Sequence, residues 1–184
     1  MKYLALMLLV ALSACQSRPS AEIEHAPYVD LPRFMGDWYV IASIPTLFER
    51  DAHNAVERYD LREDGRIDTT FSFRRGGFDG PERQMTPVAT VRDDPSNAIW
   101  GMQFVWPFRA DFRVIYLSED DSGDYARTII GRQKRDYVWI MAREPQVTEA
   151  QYQRMLDFLA GQGYQVSRIE RVPQCWQDDC RIER

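Results

Sequence analysis

The sequence predicts an all-β domain, an eight-stranded up-and-down antiparallel β-barrel with one C-terminal amphipathic α-helix packed on its outside. Three observations predict this fold. Strand-like runs recur about every 10 to 15 residues from Gly36 onward, with turn residues between them. A helical period occurs only once, after the last of these runs. The chain has 184 residues, 45% of them hydrophobic, which is enough for one sizeable core.

The first segment, "MKYLALMLLVALSA" at residues 1–14, has one lysine followed by an apolar run too short to span a bilayer. It is therefore interpreted as an export signal peptide. It ends in "LSAC", which resembles the lipobox of bacterial lipoproteins, where Cys15 is acylated and becomes the first mature residue. The alternative is an ordinary cleavage site that a cysteine happens to follow. By the same resemblance, Gln16 after the cysteine looks like an address for the outer membrane, so we expect a lipid anchor there, on the periplasmic face.

A tether is predicted over residues 15–31, because this part of the chain shows little periodicity and contains Pro19 and Pro27. The barrel domain is predicted over residues 32–184. The formal charge of the chain is −5, and no dense Lys/Arg run reverses it locally. This sign argues against nucleic acid as a partner and against binding to anionic headgroups, so membrane attachment is expected through acyl chains alone.

Eight strands follow in order, and alternation of apolar residues predicts which face of each is buried. Asp64-Gly65 marks a tight hairpin turn between the second and third strands. The acidic stretches "DDPSN" and "EDDSGD" are interpreted as solvated loops, since they lack the ligand spacing of a calcium loop. The predicted strands are 36–43, 54–62, 66–74, 84–92, 98–106, 110–118, 124–131 and 136–143.

The single helix is predicted within "PQVTEAQYQRMLDFLAGQG", with a length of about 13 residues. Thr148 lies three residues before Gln151, which is a capping-box pattern. Gly161 or Gly163 ends the helix. An apolar stripe must cover the outside of the sheet, and it consists of Tyr152, Met155, Leu156 and Leu159. A short extended piece, 164–172, is predicted to follow.

Two cysteines remain in "CWQDDC", and an exported protein meets oxidising conditions, so Cys175 and Cys180 are expected to pair. A C-x4-C metal site is the alternative. It lacks a second cysteine pair, and the only histidines are His25 and His53. No metal site and no cofactor are predicted.

An eight-stranded barrel either fills with side chains or holds one small ligand. The inward faces predicted by alternation are aromatic and wide, so a ligand-binding interior and a dry core both fit the pattern. The residues predicted to line the interior are Tyr59, Phe71, Phe73, Trp100, Met102, Phe104, Phe112, Val114 and Tyr116.

A family resemblance favours the first alternative. "GDWYVIA" at residues 36–42 resembles the G-x-W strand that opens the lipocalin barrel, and "RDYVWIMAR" at residues 135–143 resembles its later strand, ending in the arginine that packs across the tryptophan. Together with "ERYDLREDGRI" and "VWPF", these blocks are similar to the bacterial lipocalins over residues 32 to about 174. The resemblance implies structural roles for Gly36, Trp38 and Arg143 at the closed end.

The resemblance also implies a function, namely binding of a fatty acid or lysophospholipid in the barrel for storage or transport in the cell envelope. The loop after the first strand would then lie at the open end, which explains why it keeps the apolar residues Ile44, Leu47 and Phe48. Burial under neighbouring strand ends is the alternative for these residues. No catalytic residue is predicted, and the sequence leaves a homodimer open.

Glu57 has the parity of an inward-facing residue, and a buried carboxylate needs a partner or a proton. Arg127 or a ligand headgroup could be that partner, and an error in the register is the alternative. Other functions also stay open at this point: an interaction protein with a filled barrel, a lipocalin-type enzyme, or a haem carrier that uses His53.

Overall fold

A computed structural model describes residues 21–176 of the chain. Its strands form one antiparallel sheet that closes on itself, because β1 pairs with both β2 and β9. The elements are α1 (Leu31–Phe34), β1 (Gly36–Ile44), β2 (Ala52–Leu61), β3 (Arg66–Arg75), β4 (Glu82–Met85), β5 (Val88–Val91), β6 (Ile99–Val105), β7 (Phe108–Glu119), β8 (Tyr125–Gly131), β9 (Val138–Ala142), α2 (Glu149–Gly161) and β10 (Glu170–Arg171).

The predicted fold class is confirmed: eight strand positions close into an antiparallel barrel, and one helix follows the barrel. One of those positions holds two short strands, because both β4 and β5 pair with β3. The sequence analysis predicted a single strand there, 84–92. Pro87 separates the two pieces because proline has no N–H for a ladder, while its carbonyl still accepts bonds from the backbone N–H and the hydroxyl of Thr69.

Helix α2 packs on the outside of the barrel and begins with the predicted capping box. Thr148 Oγ1 accepts a bond from the Gln151 backbone N–H, and Gln151 Oε1 accepts one from the Thr148 N–H. Tyr152, Met155 and Leu159 are buried against the sheet, while Leu156 is half-buried. The fold therefore has two apolar clusters, one inside the barrel and one between the sheet and α2.

Two β-bulges decide which side chains belong to the second cluster. One lies between Val40 and Ala42 and the other between Val114 and Tyr116. Each bulge adds a residue and so reverses the alternation beyond it. Ile44 is therefore buried in the cluster beneath α2. Its expected position at the open end is wrong. Tyr116 likewise contacts Phe158 of α2 at 5.2 Å between ring centroids, so its expected inward orientation is wrong.

The segment before the barrel is part of the folded domain from Ile23 onward. Ile23, Ala26 and Val29 are buried, and the backbone N–H of Ala26 donates to Val114 O at 2.8 Å. The predicted tether, 15–31, is therefore too long at its C-terminal end, because three apolar residues spaced along it pack against the barrel. The signal segment 1–14 and Cys15 lie outside the described residues.

The C-terminal segment fills the gap where β1 and β2 diverge. Strand β10 pairs with Ala42 and Ser43 of β1, and Gln174 Nε2 donates to the carbonyls of both Val40 and Ala55. The stretch predicted as extended instead holds a 3-10 turn, Val166–Arg168, before β10.

Cys175 is disulfide-bonded. Because Cys180 lies outside the described residues, its pairing with Cys175 stays a prediction. None of the helices within residues 21–176 has the length and apolar character needed to cross a membrane.

Candidate ligand-binding site

Aromatic rings fill the end of the barrel where β1 begins. The Phe34 ring lies 5.0 Å from the Trp38 ring and 5.5 Å from the Trp100 ring, centroid to centroid, and Trp100 stacks on Phe112 at 5.3 Å. The Trp38 indole N–H donates to Phe34 O at 2.9 Å. This end is therefore closed by packed aromatic side chains.

Arg143 covers the closed end from outside. Its guanidinium lies 3.9 Å from the centroid of the Trp38 ring and donates to the carbonyls of Arg33, Phe34, Met35 and Asp37. Burial lowers the pKa of this guanidinium to about 10. Gly36 lies beside it with φ at +91°, a backbone conformation that favours glycine. The three residues predicted to be structural thus lie together at the end opposite the open mouth.

A cavity of about 620 Å³ occupies the other half of the barrel and opens at the mouth. The mouth is formed by the loops that join β1 to β2, β3 to β4 and β8 to β9 and by the β6–β7 hairpin. Most of the wall is apolar. The cavity is lined by Thr46, Phe48, Glu49, Glu57, Phe71, Met85, Thr86, Pro87, Met102, Phe104, Val105, Ala110, Asp111, Phe112, Arg132, Tyr137 and Trp139.

Five of the eleven residues predicted to contact a ligand line the cavity: Phe48, Phe71, Met102, Phe104 and Phe112. Tyr59, Trp100 and Val114 do face inward, but they are buried in the filled closed end. Phe73 is buried behind Phe71, with the two ring centroids 5.2 Å apart. Leu47 is 73% exposed beside the mouth, and Tyr116 faces α2. Strand alternation gives the side of a residue but not its height in the barrel, and this explains most of the differences.

Several lining residues were missed by sequence reasoning. Trp139 lies 4.8 Å from Phe71 between ring centroids and forms part of the cavity wall. Its strand is apolar on both faces, so alternation could not assign it. Tyr137 and Arg132 belong to the β8–β9 loop region, and no local pattern in the sequence marks them as part of a site.

Among the described residues, three with carboxyl groups line the cavity, and two of them, Glu57 and Glu49, are buried. Glu57 is 1% exposed, as its parity predicted, and its Oε2 has no hydrogen-bond partner within the described structure. Burial, reinforced by the nearby charge of Glu49, raises the pKa of Glu57 well above its ordinary value. Arg127, one of the two partners suggested for it, instead donates to Ser118 Oγ and Glu119 O.

Glu49 sits in the mouth loop and is held by several donors. Its Oε2 accepts from the backbone N–H of Thr46 at 3.2 Å, and its Oε1 accepts from the Tyr137 hydroxyl at 3.1 Å. Burial raises the pKa of this carboxyl as well. Glu49 is thus satisfied within the protein, whereas Glu57 is not.

One cationic side chain lines the same cavity. Arg132 stands at the mouth, where its Nε lies 3.6 Å from Asp136 Oδ1 without forming a hydrogen bond. Asp111, also in the lining, is paired with Arg113 at 3.1 Å. Among these charged lining residues Glu57 is the most buried, whereas Arg132 stands at the mouth.

Among the described residues, no histidine lines the cavity. His53 lies outside the cavity lining, with its ring 5.0 Å from Phe78 and its Nδ1 3.0 Å from Asp51 O. Within residues 21–176, no three His, Cys, Asp or Glu side chains converge in a way that could hold a metal ion.

The sequence matches the model of the lipocalin-like domain over residues 29–174. The chain belongs to the lipocalin family. Membership of this family supports a barrel that binds a small hydrophobic molecule. It agrees with a cavity that opens at the mouth and is closed at the end where β1 begins.

This lipocalin is similar to both a bacterial and a mammalian protein. One is the outer membrane lipoprotein Blc of Citrobacter freundii, 30% identical over 166 residues, which cover 88% of this chain and 89% of the relative. The other is apolipoprotein D of Bos taurus, 26% identical over 150 residues, which cover 79% and 77% of the two chains. Among solved structures, insecticyanin from the tobacco hornworm Manduca sexta matches with a TM-score of 0.61 and 15% identity, covering 86% of this lipocalin and 87% of insecticyanin. The last match supports the fold alone.

Proposed function

We propose that this lipocalin is a lipid-anchored protein of the cell envelope that binds a fatty acid or lysophospholipid for storage or transport. The observation that carries the proposal is the open cavity of about 620 Å³ with its mostly apolar wall. An interaction protein with a filled barrel is the alternative. The closed end is filled in that way, but the half next to the mouth is not.

The apolar wall offers enough free energy for binding. Each methylene that leaves water contributes about 0.8 kcal/mol, while association costs at least ~4 kcal/mol. A single acyl chain therefore binds without any covalent chemistry. We propose no enzymatic activity, because Cys175, the cysteine within the described residues, lies outside the barrel strands and is disulfide-bonded.

Arg132 supports an orientation for such a ligand. Its guanidinium is paired with Asp136 at 3.6 Å, and the side chain stands where the cavity meets solvent. An anionic head, either the carboxylate of a fatty acid or the phosphate of a lysophospholipid, can accept hydrogen bonds from it. The acyl chain then points toward Met102 and Phe112.

The start of the described chain supports membrane anchoring at the mouth end. Ala21 O accepts hydrogen bonds from Gln133 and Arg135 in the β8–β9 loop, so Ala21 lies beside the mouth. Cys15 precedes it by only six residues, which span at most ~20 Å when extended. An acylated Cys15 would therefore keep the mouth close to the bilayer. Large apolar side chains surround this mouth and are exposed: Leu47, Phe48, Phe104, Val105, Trp106 and Phe108.

Fluorescence titration with a long-chain fatty acid and a lysophospholipid tests the proposal, because Trp139 lies in the cavity wall. We expect saturable quenching for the purified domain. Ala110→Trp places a large ring in the cavity and should weaken binding strongly. Ala160→Trp, on the exposed face of α2, is the matched control and should bind as the wild type does. Saturation that is absent, or that is unaffected by Ala110→Trp, would count against a ligand in this cavity.

A further inference from the structure

Glu57 is the feature of the cavity that an acyl chain leaves unexplained. It lies in the middle of β2, where it pairs with Trp38 of β1 on one side and Phe71 of β3 on the other. Both neighbours are buried, and Glu57 itself is 1% exposed. A carboxyl at this depth costs free energy unless it is hydrogen-bonded. Its Oε2 has no such bond.

No cationic side chain within residues 21–176 pairs with Glu57. Among the residues that the structure describes, none of the ion pairs involves it. The charge that reaches it most strongly is that of Glu49, which has the same sign. Both carboxyls belong to the lining of the cavity, so an incoming ligand meets Glu49, from the mouth loop, as well as the more deeply buried Glu57.

Aromatic faces surround the same position. Phe71 and Trp139 are 4.8 Å apart between centroids, and Trp139 lies 5.4 Å from Tyr137, whose hydroxyl holds Glu49. Aromatic rings attract a cation placed over their faces, most strongly when it is desolvated. Carboxylates together with aromatic walls are the combination that recognises organic ammonium groups, whereas a carboxylate ligand would be repelled here.

We propose that Glu57, Glu49 and the surrounding aromatic rings form an inner subsite that binds the ammonium head of a single-chain amine. The inference rests on the proposed function, since it assumes that an apolar chain occupies the cavity, and it adds a ligand class that inserts its head first. The ammonium group donates hydrogen bonds to the Glu57 carboxylate and supplies the countercharge that this group lacks within the described structure. The alkyl chain then extends past Met102 and Phe104 to the mouth.

Three ligands of equal chain length test this subsite, namely decylamine, decanol and decanoate, each below its micellar concentration and at neutral pH. Tryptophan fluorescence of the whole domain reports binding. Decylamine should bind at least about tenfold more tightly than decanol, since a hydrogen-bonded buried charge pair exceeds the 1.4 kcal/mol that a tenfold change requires. This comparison needs no variant, so it does not depend on how a substitution folds.

Glu57→Gln then removes the charge while keeping the shape of the side chain. Decylamine should lose about tenfold or more in affinity, and decanol should change by less than about twofold. Glu63→Gln removes the same charge from the exposed β2–β3 hairpin and should change neither ligand.

The outcomes separate the two proposals. If decanol and long-chain fatty acid bind but decylamine binds no better than decanol, or Glu57→Gln binds decylamine as the wild type does, the amine subsite is wrong and the lipid-binding function stands. If no apolar ligand binds at all, both proposals fail.

Discussion

The guanidinium of Arg143 lies 3.9 Å from the centroid of the Trp38 ring and simultaneously donates to four backbone carbonyls around α1. Two residues 105 positions apart thus close one end of the barrel. The planar, forked donor is essential to this geometry, since one group must cover an aromatic face and reach several acceptors in its own plane.

Arg143→Ala should lower the free energy of unfolding by about 3 kcal/mol, because hydrogen bonds from a charged donor and the contact with the ring are lost together. Arg143→Lys should recover only part of the loss, since an ammonium group cannot form the fork. Urea denaturation measures both. Arg58→Ala, which removes exposed ion pairs to Asp37 and Asp60, is the control and should leave the unfolding midpoint unchanged. An unfolding free energy for Arg143→Ala equal to that of the wild type would contradict this account of the closed end.

Gly36→Ala should destabilise the barrel by about 1–2 kcal/mol because of its backbone conformation. The φ angle is +91°, while an added Cβ would stand 3.5 Å from the Arg143 guanidinium, an ordinary contact. The cost therefore comes from the backbone rather than from a clash. Gly161→Ala is the matched control, since its Cβ would meet nothing within 4 Å. That change should stabilise the protein by about 0.5–1 kcal/mol. Equal effects of the two substitutions on the thermal midpoint would argue against strain at Gly36.

Much of the fold could be predicted because its elements carry local signals. The capping box at Thr148, the Asp64-Gly65 turn and strand alternation each depend on residues near one another in the chain. The bulges after Val40 and Val114 could not be predicted in this way, because a bulge is defined by the partner strand. Both bulges change which residues face inward, so alternation wrongly predicts an inward Tyr116, and Ile44 is buried beneath α2 rather than exposed at the open end.

The site was predicted less completely than the fold. Alternation placed Glu57, Phe71 and Met102 correctly inside, yet it could not show that Tyr59 and Trp100 fill the closed end while the mouth stays open. Which half of a barrel is filled depends on side chains from several strands at one height, together with Phe34 of α1. No sequence pattern marked Glu49 as a cavity residue, since an acidic residue in a loop is normally solvated.

Thr148→Ala should lower the free energy of unfolding by about 1 kcal/mol, because the backbone N–H of Gln151 in the first turn of α2 loses its side-chain acceptor. Thr148→Ser retains the hydroxyl and should remain within about 0.5 kcal/mol of the wild type. Chemical denaturation followed by circular dichroism distinguishes the two. Ligand affinity should not change in either variant, since α2 lies outside the barrel. A loss of affinity without a loss of stability would indicate that the helix communicates with the cavity.

The exposed rim should contribute to membrane contact. In the unacylated domain, Trp106→Ser together with Phe108→Ser should reduce flotation with zwitterionic vesicles, because the two side chains are 82% and 76% exposed beside the mouth. Trp176→Ser removes another exposed tryptophan, one that packs against Tyr39 on the barrel wall, and should float as the wild type does. Equal flotation of the rim variant and the wild type would remove the rim from the proposed membrane contact.

Glu57 should make the barrel less stable as the pH rises. Its pKa in the folded protein is raised well above the ordinary value of 4.5, so between these two values the folded state holds a proton that the unfolded chain releases. The contribution of Glu57 to the free energy of unfolding is thus fully present below about pH 4.5. It is lost as the pH rises toward the raised pKa, by at most about 1.4 kcal/mol per pH unit for one group. Glu49, whose pKa is also raised by burial, acts in the same direction. Tyr59 and Tyr137, which face the same interior, titrate only at high pH because burial raises their pKa values well above 10.

Glu57→Gln should therefore flatten the dependence of unfolding free energy on pH from about 5 to 8 and make the empty barrel more stable than the wild type at the upper end of that range. Urea titrations at several pH values measure this, with Glu63→Gln as the variant that changes the same charge on the surface. Parallel curves for the wild type and Glu57→Gln would mean that Glu57 is already ionised in the empty barrel. In that case a cation or ordered water must accompany it, and the ammonium group of a ligand would then have to displace that partner.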